Sequence, residues 1–224
     1  NFDLRKELHA AALAMLEKRG TAEAGELARH AAETDDKDRQ RRHFAAAAEE
    51  AAAHYANDIA RSWYQRLLPL LHGAEAGRIR LALGRLEFIA GELDVASVLL
   101  ADSVDDLPEG TAEQADALLA LGRVEIAMGD SAGFDRIEQV LEAAETRGDW
   151  DVVREALEAA AYVGVMFGDV ERAERVERSL VELAGRLGPE HEVAQPIAYL
   201  HGLLWLRGDL VAAATAYEPV SYTH

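Results

Sequence analysis

The sequence predicts an all-α fold built from pairs of antiparallel helices. Half of the 224 residues are apolar but only 6% are aromatic, a composition typical of closely packed helices and not of strands. Nearly every segment between glycines or turn residues has an apolar period close to 3.6. Glycine–acid dipeptides also recur every 38–40 residues toward the C-terminus, which indicates a repeated two-helix unit.

The positions of the glycines and turn residues between these segments predict about twelve helices with short connections. Leu4, Leu8, Ala11, Ala12 and Met15 form the apolar stripe of the first, and similar stripes mark the others. The predicted helices cover residues 4–19, 22–34, 37–54, 56–71, 74–90, 92–104, 111–128, 131–147, 149–167, 169–187, 190–207 and 209–218.

The repeated dipeptides are predicted to be the hinges between helices: Gly91-Glu92, Gly129-Asp130, Gly168-Asp169 and Gly208-Asp209. Glycine supplies the left-handed position that ends one helix, and the acidic side chain accepts the free backbone N–H groups that begin the next. Arg147-Gly148-Asp149 and Arg207-Gly208-Asp209 spell an adhesion tripeptide, but we interpret both as turns of this kind.

Small residues recur around these hinges. Gly84 and Gly122 each lie seven residues before a hinge glycine, and Ala96 lies five residues after one; in the next unit Phe134 replaces the small residue at that position. We expect the small side chains to let paired helices approach closely.

This spacing carries a resemblance to a known repeat. Leu83, Gly84, Ala96, Leu100 and Pro108 fall where the tetratricopeptide-repeat consensus has a Leu-Gly pair, a small residue and a closing proline. The period of 38–40 is longer than the 34 residues of that repeat, so the chain resembles a tetratricopeptide-like form. The resemblance implies a right-handed α-solenoid over residues 73–224, with a groove lined by the first helix of each unit.

A second resemblance covers residues 1–72, predicted to be an N-terminal helical segment that packs on the array. Its motifs are similar to the segment that follows the nucleotide-binding module in large bacterial signalling ATPases, many of which also carry an adenylate/guanylate cyclase domain. The resemblance implies a regulatory arm whose ATPase and cyclase activities lie elsewhere. The matching stretches are residues 4–9, 16–20, 26–32, 45–48, 55–56 and 63–71.

Charge and composition exclude several function classes. The net charge is −18 and is uneven, with 11 basic against 12 acidic residues through His72 and 12 against 29 after it. Such an acidic segment repels a polyanion, so we predict no nucleic-acid binding. No apolar run reaches the roughly 20 residues of a membrane helix, so no membrane partner is expected. The absence of cysteine excludes thiolate chemistry and favours a cytoplasmic protein.

No motif predicts catalysis, a metal or a cofactor. A phosphate-binding loop needs a Gly-Lys pair, and none exists in the sequence. His43 and His54 would share one helix face but lie about 16 Å apart along the axis, too far for one ion to bridge. We therefore predict no catalytic residue, no metal and no cofactor, and expect the histidines to be exposed or locally paired.

The tetratricopeptide resemblance places groove candidates at Arg85, Phe88, Arg123, Tyr162 and Trp205, with Ile126, Met166 and Leu206 beside them. Two arginines one repeat apart, followed by aromatic residues, could hold an acidic or C-terminal peptide. Two alternatives stay open. Phe88 and Ile126 could be core residues while the arginines neutralise nearby acids, or a basic partner could meet the outer surface.

The predicted function is a non-enzymatic module that binds a protein or peptide and regulates an attached or partner ATPase/cyclase. Other domains of its own parent chain are among the expected partners, since the sequence begins at Asn1 and we expect a longer protein. The alternative is a small-ligand sensor domain of a bacterial transcriptional or cyclase regulator, closing on its ligand at the groove or near Trp63, Tyr64 and Pro69. A third possibility is a hydrolase whose site would appear as a cleft of clustered carboxylates. Self-association is also predicted through Val211, Ala214 and Tyr217 of the C-terminal repeat, whose apolar end lacks a cap.

Overall fold

The structure is a computed structural model that describes residues 2–166, with side chains from 3 to 159. It also describes the isolated positions Glu171, Arg175, Arg178, Ser179 and Gly208. Apart from those positions, the predicted helices 169–187, 190–207 and 209–218 lie outside the described residues, as do Val211, Ala214 and Tyr217.

Over the described residues the chain forms helices and no strands, which confirms the predicted all-α class. A short 3-10 helix, Leu68–Leu70, follows the fourth α-helix. Each observed helix lies within a few residues of a predicted one. The helices are α1 Phe2–Arg19, α2 Ala24–Ala32, α3 Lys37–Ala53, α4 Asn57–Leu67, α5 Gly73–Ala90, α6 Leu93–Asp106, α7 Ala112–Ala127, α8 Ala132–Arg147 and α9 Trp150–Met166.

Consecutive helices pair in antiparallel fashion, as the repeat predicts. In α5 and α6, Gly84 faces Leu100 while the earlier Gly77 faces the later Leu107, a register that only antiparallel helices produce. The same test holds in the next pair, where Gly122 of α7 faces Ile137 of α8 while the later Ile126 faces the earlier Gly133. These pairs are the structural unit that the 38–40 residue period indicated.

The hinge glycines adopt the left-handed conformation expected of them. Gly91, Gly129 and Gly148 have φ values of +82°, +84° and +69°, and Gly91 and Gly148 cap the ends of α5 and α8. Gly208, within the second Arg-Gly-Asp sequence, has φ +84°. Because glycine has no Cβ, it takes this conformation without the steric cost other residues meet.

The predicted capping by the following acid holds in two hinges and is wrong in one. Asp130 accepts a hydrogen bond from Ala132 N, and Asp149 accepts one from Val152 N. Glu92 makes no side-chain cap; its own N–H instead donates to Glu87 O, which closes the end of α5. Glutamate is a weaker N-cap residue than aspartate.

The chain divides into two compact units, residues 1–114 and 115–224. In the first unit, side chains of α1 to α6 build one core, with Phe44, Trp63, Leu67 and Leu83 among its large members. This core joins helices on both sides of residue 72, the predicted boundary between N-terminal segment and repeats. In the second unit, the described core lies between α7, α8 and α9. The division at 72/73 stays a prediction based on the repeat.

The first helix is confirmed, but the stripe that predicts it is not the face it buries. Leu4, Leu8 and Met15 are 52%, 62% and 50% exposed, and Ala11 is exposed as well. Leu13, on the opposite side of the helix, is fully buried. Leu13 belongs to the core of the first unit, which α1 contacts from this side.

We predict that Gly84→Ala destabilises the first unit by about 1–3 kcal/mol, because an added Cβ would lie 2.6 Å from Leu100 Cγ and overpack the α5–α6 contact. The free energy of unfolding from a denaturant titration measures the effect. Gly25→Ala is the matched control: nothing lies within 4 Å of its Cβ position, so alanine there should stabilise α2 by up to about 1 kcal/mol. Equal effects of the two substitutions would contradict the close-approach interpretation.

Candidate functional site

An open groove lies in the first unit, where the turn between α3 and α4 meets the end of α5. Its volume is about 480 Å³. One wall is the α3–α4 turn with the first turns of α4, and the other is the last turn of α5. The lining residues are Tyr55, Ala56, Asn57, Asp58, Ile59, Arg61, Leu86, Ile89 and Ala90.

Tyr55 is the most unusual residue of this groove. Its φ is +56°, and no other described residue except glycine has a positive φ. Its N–H donates to Ala52 O and the next N–H to Ala51 O, so Tyr55 occupies the left-handed position that ends α3. The left-handed conformation is unfavourable by about 1–2 kcal/mol for tyrosine, but not for glycine, which has no Cβ. Backbone strain of this kind concentrates at functional sites.

Apolar side chains around Tyr55 point to solvent instead of into the core. Tyr55 is 89% exposed, Ile59 56% and Ile89 68%, and all three line the same groove. Single exposed apolar side chains are common on proteins, but a group of them around a concave surface marks an interaction site.

One arginine links the two walls beneath this apolar rim. Arg61 Nε lies 3.2 Å from Glu87 Oε1, and Arg61 Nη1 lies 3.5 Å from Asp58 Oδ1. The Glu87 side chain is 7% exposed and the Asp58 side chain 93% exposed. Arg61 Nε is buried but makes no hydrogen bond, because the contact with Glu87 lacks hydrogen-bond direction. Two carboxylates against one guanidinium leave this part of the groove negatively charged.

The groove candidates from sequence are distributed over both units. In the first unit Arg85 is exposed but already interacts within the chain, and Phe88 is half-buried. In the second unit Arg123 is half-buried, and its Nε is buried without a hydrogen bond. Ile126 is 2% exposed in the core, as its alternative interpretation expects. The side chain of Tyr162 lies outside the described residues, as do the side chain of Met166 and all of Trp205 and Leu206.

The alternative site near Trp63 and Tyr64 is filled by the core. Both side chains are buried. The Trp63 ring stacks on Phe44 at 5.5 Å between centroids, and the Arg66 guanidinium lies 5.3 Å from the centre of the Trp63 ring. Burial, reinforced by the nearby Glu49 carboxylate, raises the pKa of Tyr64 above its usual value. These residues therefore stabilise the first unit and leave no space for a ligand among them.

The described histidines are exposed, as His72 is, or locally paired, as expected. His43 is buried with Nε2 2.8 Å from Glu17 Oε1, and His54 Nδ1 lies 2.8 Å from Glu50 O. Sequence reasoning missed one pair, because His9 and His30 lie on different helices: their Nδ1 atoms are 3.1 Å apart. Within the described part of the chain, no three side chains of the types that bind metals come together. No described helix combines the length and apolarity that spanning a membrane requires.

Two solved structures share this arrangement of helices. BtubC (BKLC) from P. vanneervenii matches with a TM-score of 0.67 and 14% identity, over 99% of this chain and 90% of its own. A Signal Transduction ATPase with Numerous Domains from Pyrococcus horikoshii, described as having a tetratricopeptide repeat sensor, matches with a TM-score of 0.57 and 13% identity.

The second match covers 97% of this chain but only 34% of the ATPase, so the chain spans about a third of that protein. No protein-family model matches the sequence, and no curated protein does. At this low identity the likeness concerns the fold alone. The chain has a tetratricopeptide-like helical-repeat fold. The predicted tetratricopeptide-like fold is therefore confirmed.

The groove itself was missed at the sequence level, although one signal for it exists. The predicted helix 37–54 ends without a glycine, whereas Gly20, Gly91 and Gly148 follow the ends of α1, α5 and α8. A helix that ends on an aromatic residue at this position is a signal of strain that sequence analysis could have used. Which side chains surround that residue depends on the packing of α4 against α5.

We predict that Glu87→Ala destabilises the first unit by about 1–3 kcal/mol, because it leaves the partly buried Arg61 without its buried counter-charge. Thermal and denaturant unfolding measure the loss. Glu113→Ala is the control: Glu113 pairs with Arg78 at 2.8 Å with both side chains about half exposed, so its removal should change stability little. If Glu113→Ala lowered the stability as much as Glu87→Ala, the burial of Glu87 would not explain the effect of its removal.

Proposed function

We propose that this chain is a non-enzymatic helical-repeat module that binds a segment of another protein in the groove between α4 and α5. The observation that carries the proposal is Tyr55, a large aromatic side chain held almost fully exposed on a backbone conformation that favours glycine. Glycine at this position would relieve the strain. A strained, exposed tyrosine at the rim of an apolar groove is best explained by contact with a partner.

The shape of the groove favours a protein segment over a small molecule. Sites for small ligands typically enclose most of the ligand surface. Here the three largest apolar rim residues, Tyr55, Ile59 and Ile89, are each more than half exposed. An apolar side chain of a partner could insert between them while the rest of the segment runs across the rim.

Charge favours a partner segment with basic residues beside that apolar anchor. Asp58 is almost fully exposed at the rim, and the nearby arginine is shared between Asp58 and Glu87. The first unit, residues 1–114, holds 14 basic against 21 acidic residues, a net charge of −7 that would steer a cationic segment toward it. This choice corresponds to the basic-partner alternative of the sequence analysis.

We further propose that binding at this groove regulates an attached or partner ATPase/cyclase signalling protein. Support comes from the resemblance of residues 1–72 to the segment after the nucleotide-binding module of signalling ATPases. The fold match to a signal transduction ATPase with a tetratricopeptide repeat sensor adds to it. A cytoplasmic location and the absence of catalysis in this chain belong to the same proposal.

Selection of random peptides displayed on phage, with the full chain as bait, tests the proposed binding. We expect the selected peptides to share an apolar residue flanked by Lys or Arg and to bind more weakly as salt increases. Tyr55→Gly and Ile89→Ser should each weaken this binding by about ten-fold or more, since central apolar anchors dominate such interfaces. Fluorescence anisotropy with labelled peptides measures the affinities.

Two features make this experiment decisive. Tyr55→Gly should raise the free energy of unfolding by about 1 kcal/mol, because it removes left-handed strain, so lost binding cannot be attributed to lost folding. Val98→Ser is the surface control: Val98 is 62% exposed on α6 and does not line the groove, so binding should not change. Peptides that bind all three variants equally, or that are mainly acidic, would refute the groove assignment.

A further inference from the structure

Two histidines from different helices meet between α1 and α2. The Nδ1 atoms of His9 and His30 lie 3.1 Å apart, and their ring centroids lie 5.1 Å apart. His9 comes from the middle of α1, and His30 comes from the last turn of α2. A neutral imidazole has one nitrogen that carries a proton and one that carries a free lone pair. The two rings can therefore share one hydrogen bond, in which one Nδ1 donates and the other accepts.

The packing of both helices fixes the position of this pair. Leu13, one turn after His9 on α1, is fully buried, and so are Ala28 and Ala31, which flank His30 on α2. The two histidines themselves are half-buried. Their contact lies on the side of α1 that faces α2, and it depends on these two helices alone. Two ring nitrogens are therefore held at a set separation while part of each ring stays accessible to solvent.

The basic residues of α1 that precede His9 are paired with carboxylates. Arg5 Nη2 lies 2.7 Å from Glu33 Oε2, and Lys6 Nζ lies 2.6 Å from Asp35 Oδ2. Residues three or four apart on a helix are neighbours on its surface, so both ion pairs lie about one turn from the histidines. This flank of the pair therefore has no net positive charge that would repel a metal cation.

We propose that His9 and His30 bind a divalent transition-metal ion through their two Nδ1 atoms, and that Cu²⁺ binds there most tightly. The nitrogens are 3.1 Å apart, so two metal–imidazole bonds of about 2.0–2.1 Å would enclose an angle of about 95–100° at the metal. This angle is closer to the value of about 90° in square-planar and octahedral sites than to the tetrahedral value of about 109°. Tetragonal sites with nitrogen and oxygen ligands are typical of Cu²⁺ and Ni²⁺.

Water completes the coordination of the proposed site. Within the residues that the structure describes, no third side chain of a metal-binding type joins the two histidines. Cu²⁺ has the highest affinity among the divalent ions of the first transition row, so two imidazoles hold it more tightly than they hold Ni²⁺ or Zn²⁺. Binding replaces the shared hydrogen bond and links α1 to α2. The site has no residue in common with the groove at Tyr55, so either proposal can hold without the other.

Isothermal titration calorimetry of the full chain, without an affinity tag, against Cu²⁺ tests the proposal. His9→Gln and His30→Gln should each weaken the tightest binding at least about 100-fold, because each leaves one imidazole where two act together. His72→Gln is the matched control: His72 is exposed and outside the pair, so the affinity should not change. Glutamine keeps a hydrogen-bonding group at each position. Circular dichroism and denaturant unfolding check that every variant folds.

Electron paramagnetic resonance of the Cu²⁺ complex identifies the ligands directly. The spectrum of the natural chain should show coupling to two imidazole nitrogens, and each of the two variants should lose one of them. Cu²⁺ binding that His9→Gln and His30→Gln leave unchanged would overturn the proposal, as would an equal loss of affinity in His72→Gln. A natural chain that binds Cu²⁺ no more tightly than the variant carrying both substitutions would overturn it as well.

Discussion

Close approach of paired helices is the constraint on which the described structure depends. At Gly84 the α6 side chain of Leu100 lies where a Cβ would be, and Gly122 and Gly133 bring the backbones of α7 and α8 together. Interiors pack at crystal-like density, so contacts of this kind have little tolerance for added atoms. They make each hairpin a rigid unit. Whatever such a unit does not bury against its neighbours is presented to solvent in a fixed geometry.

The groove follows from a left-handed helix end that is not a glycine. Where α1, α5 and α8 are followed by a left-handed glycine, α3 ends on Tyr55. Tyr55 at this position lowers the stability of the protein but places an aromatic side chain at the surface. Lower stability at a functional site is common in proteins. Arg61 bridges α4 and α5 beneath it through Glu87, so the walls of the groove are held at a defined separation. A preorganised surface of this kind loses less entropy when it binds.

The chemistry of the groove follows from the residues that line it. It combines an aromatic residue, two isoleucines and an excess of carboxylates, which suits a segment that carries positive charge beside an apolar anchor.

Much of the fold could be predicted from the sequence, because its signals are local. Glycine spacing located the hinges, and the 3.6 period located the helices to within a few residues, since both depend on backbone conformation within one or two turns. The absence of a Gly-Lys pair, which argues against a phosphate-binding loop, could also be read directly from the sequence. Phe88 and Arg85 were placed on the correct helix, because a helical register follows from the sequence alone.

What each side chain faces was decided by tertiary packing. The Leu4 stripe indicated a helix correctly but not its buried face, because the neighbours of α1 lie on the side of Leu13. The groove joins Tyr55 to Ile89 across 34 residues, and His9 meets His30 across two helices; neither pairing has a local signature. Periodicity determined where the helices are. Burial, and therefore the surface left for partners, depended on which helices lie against one another.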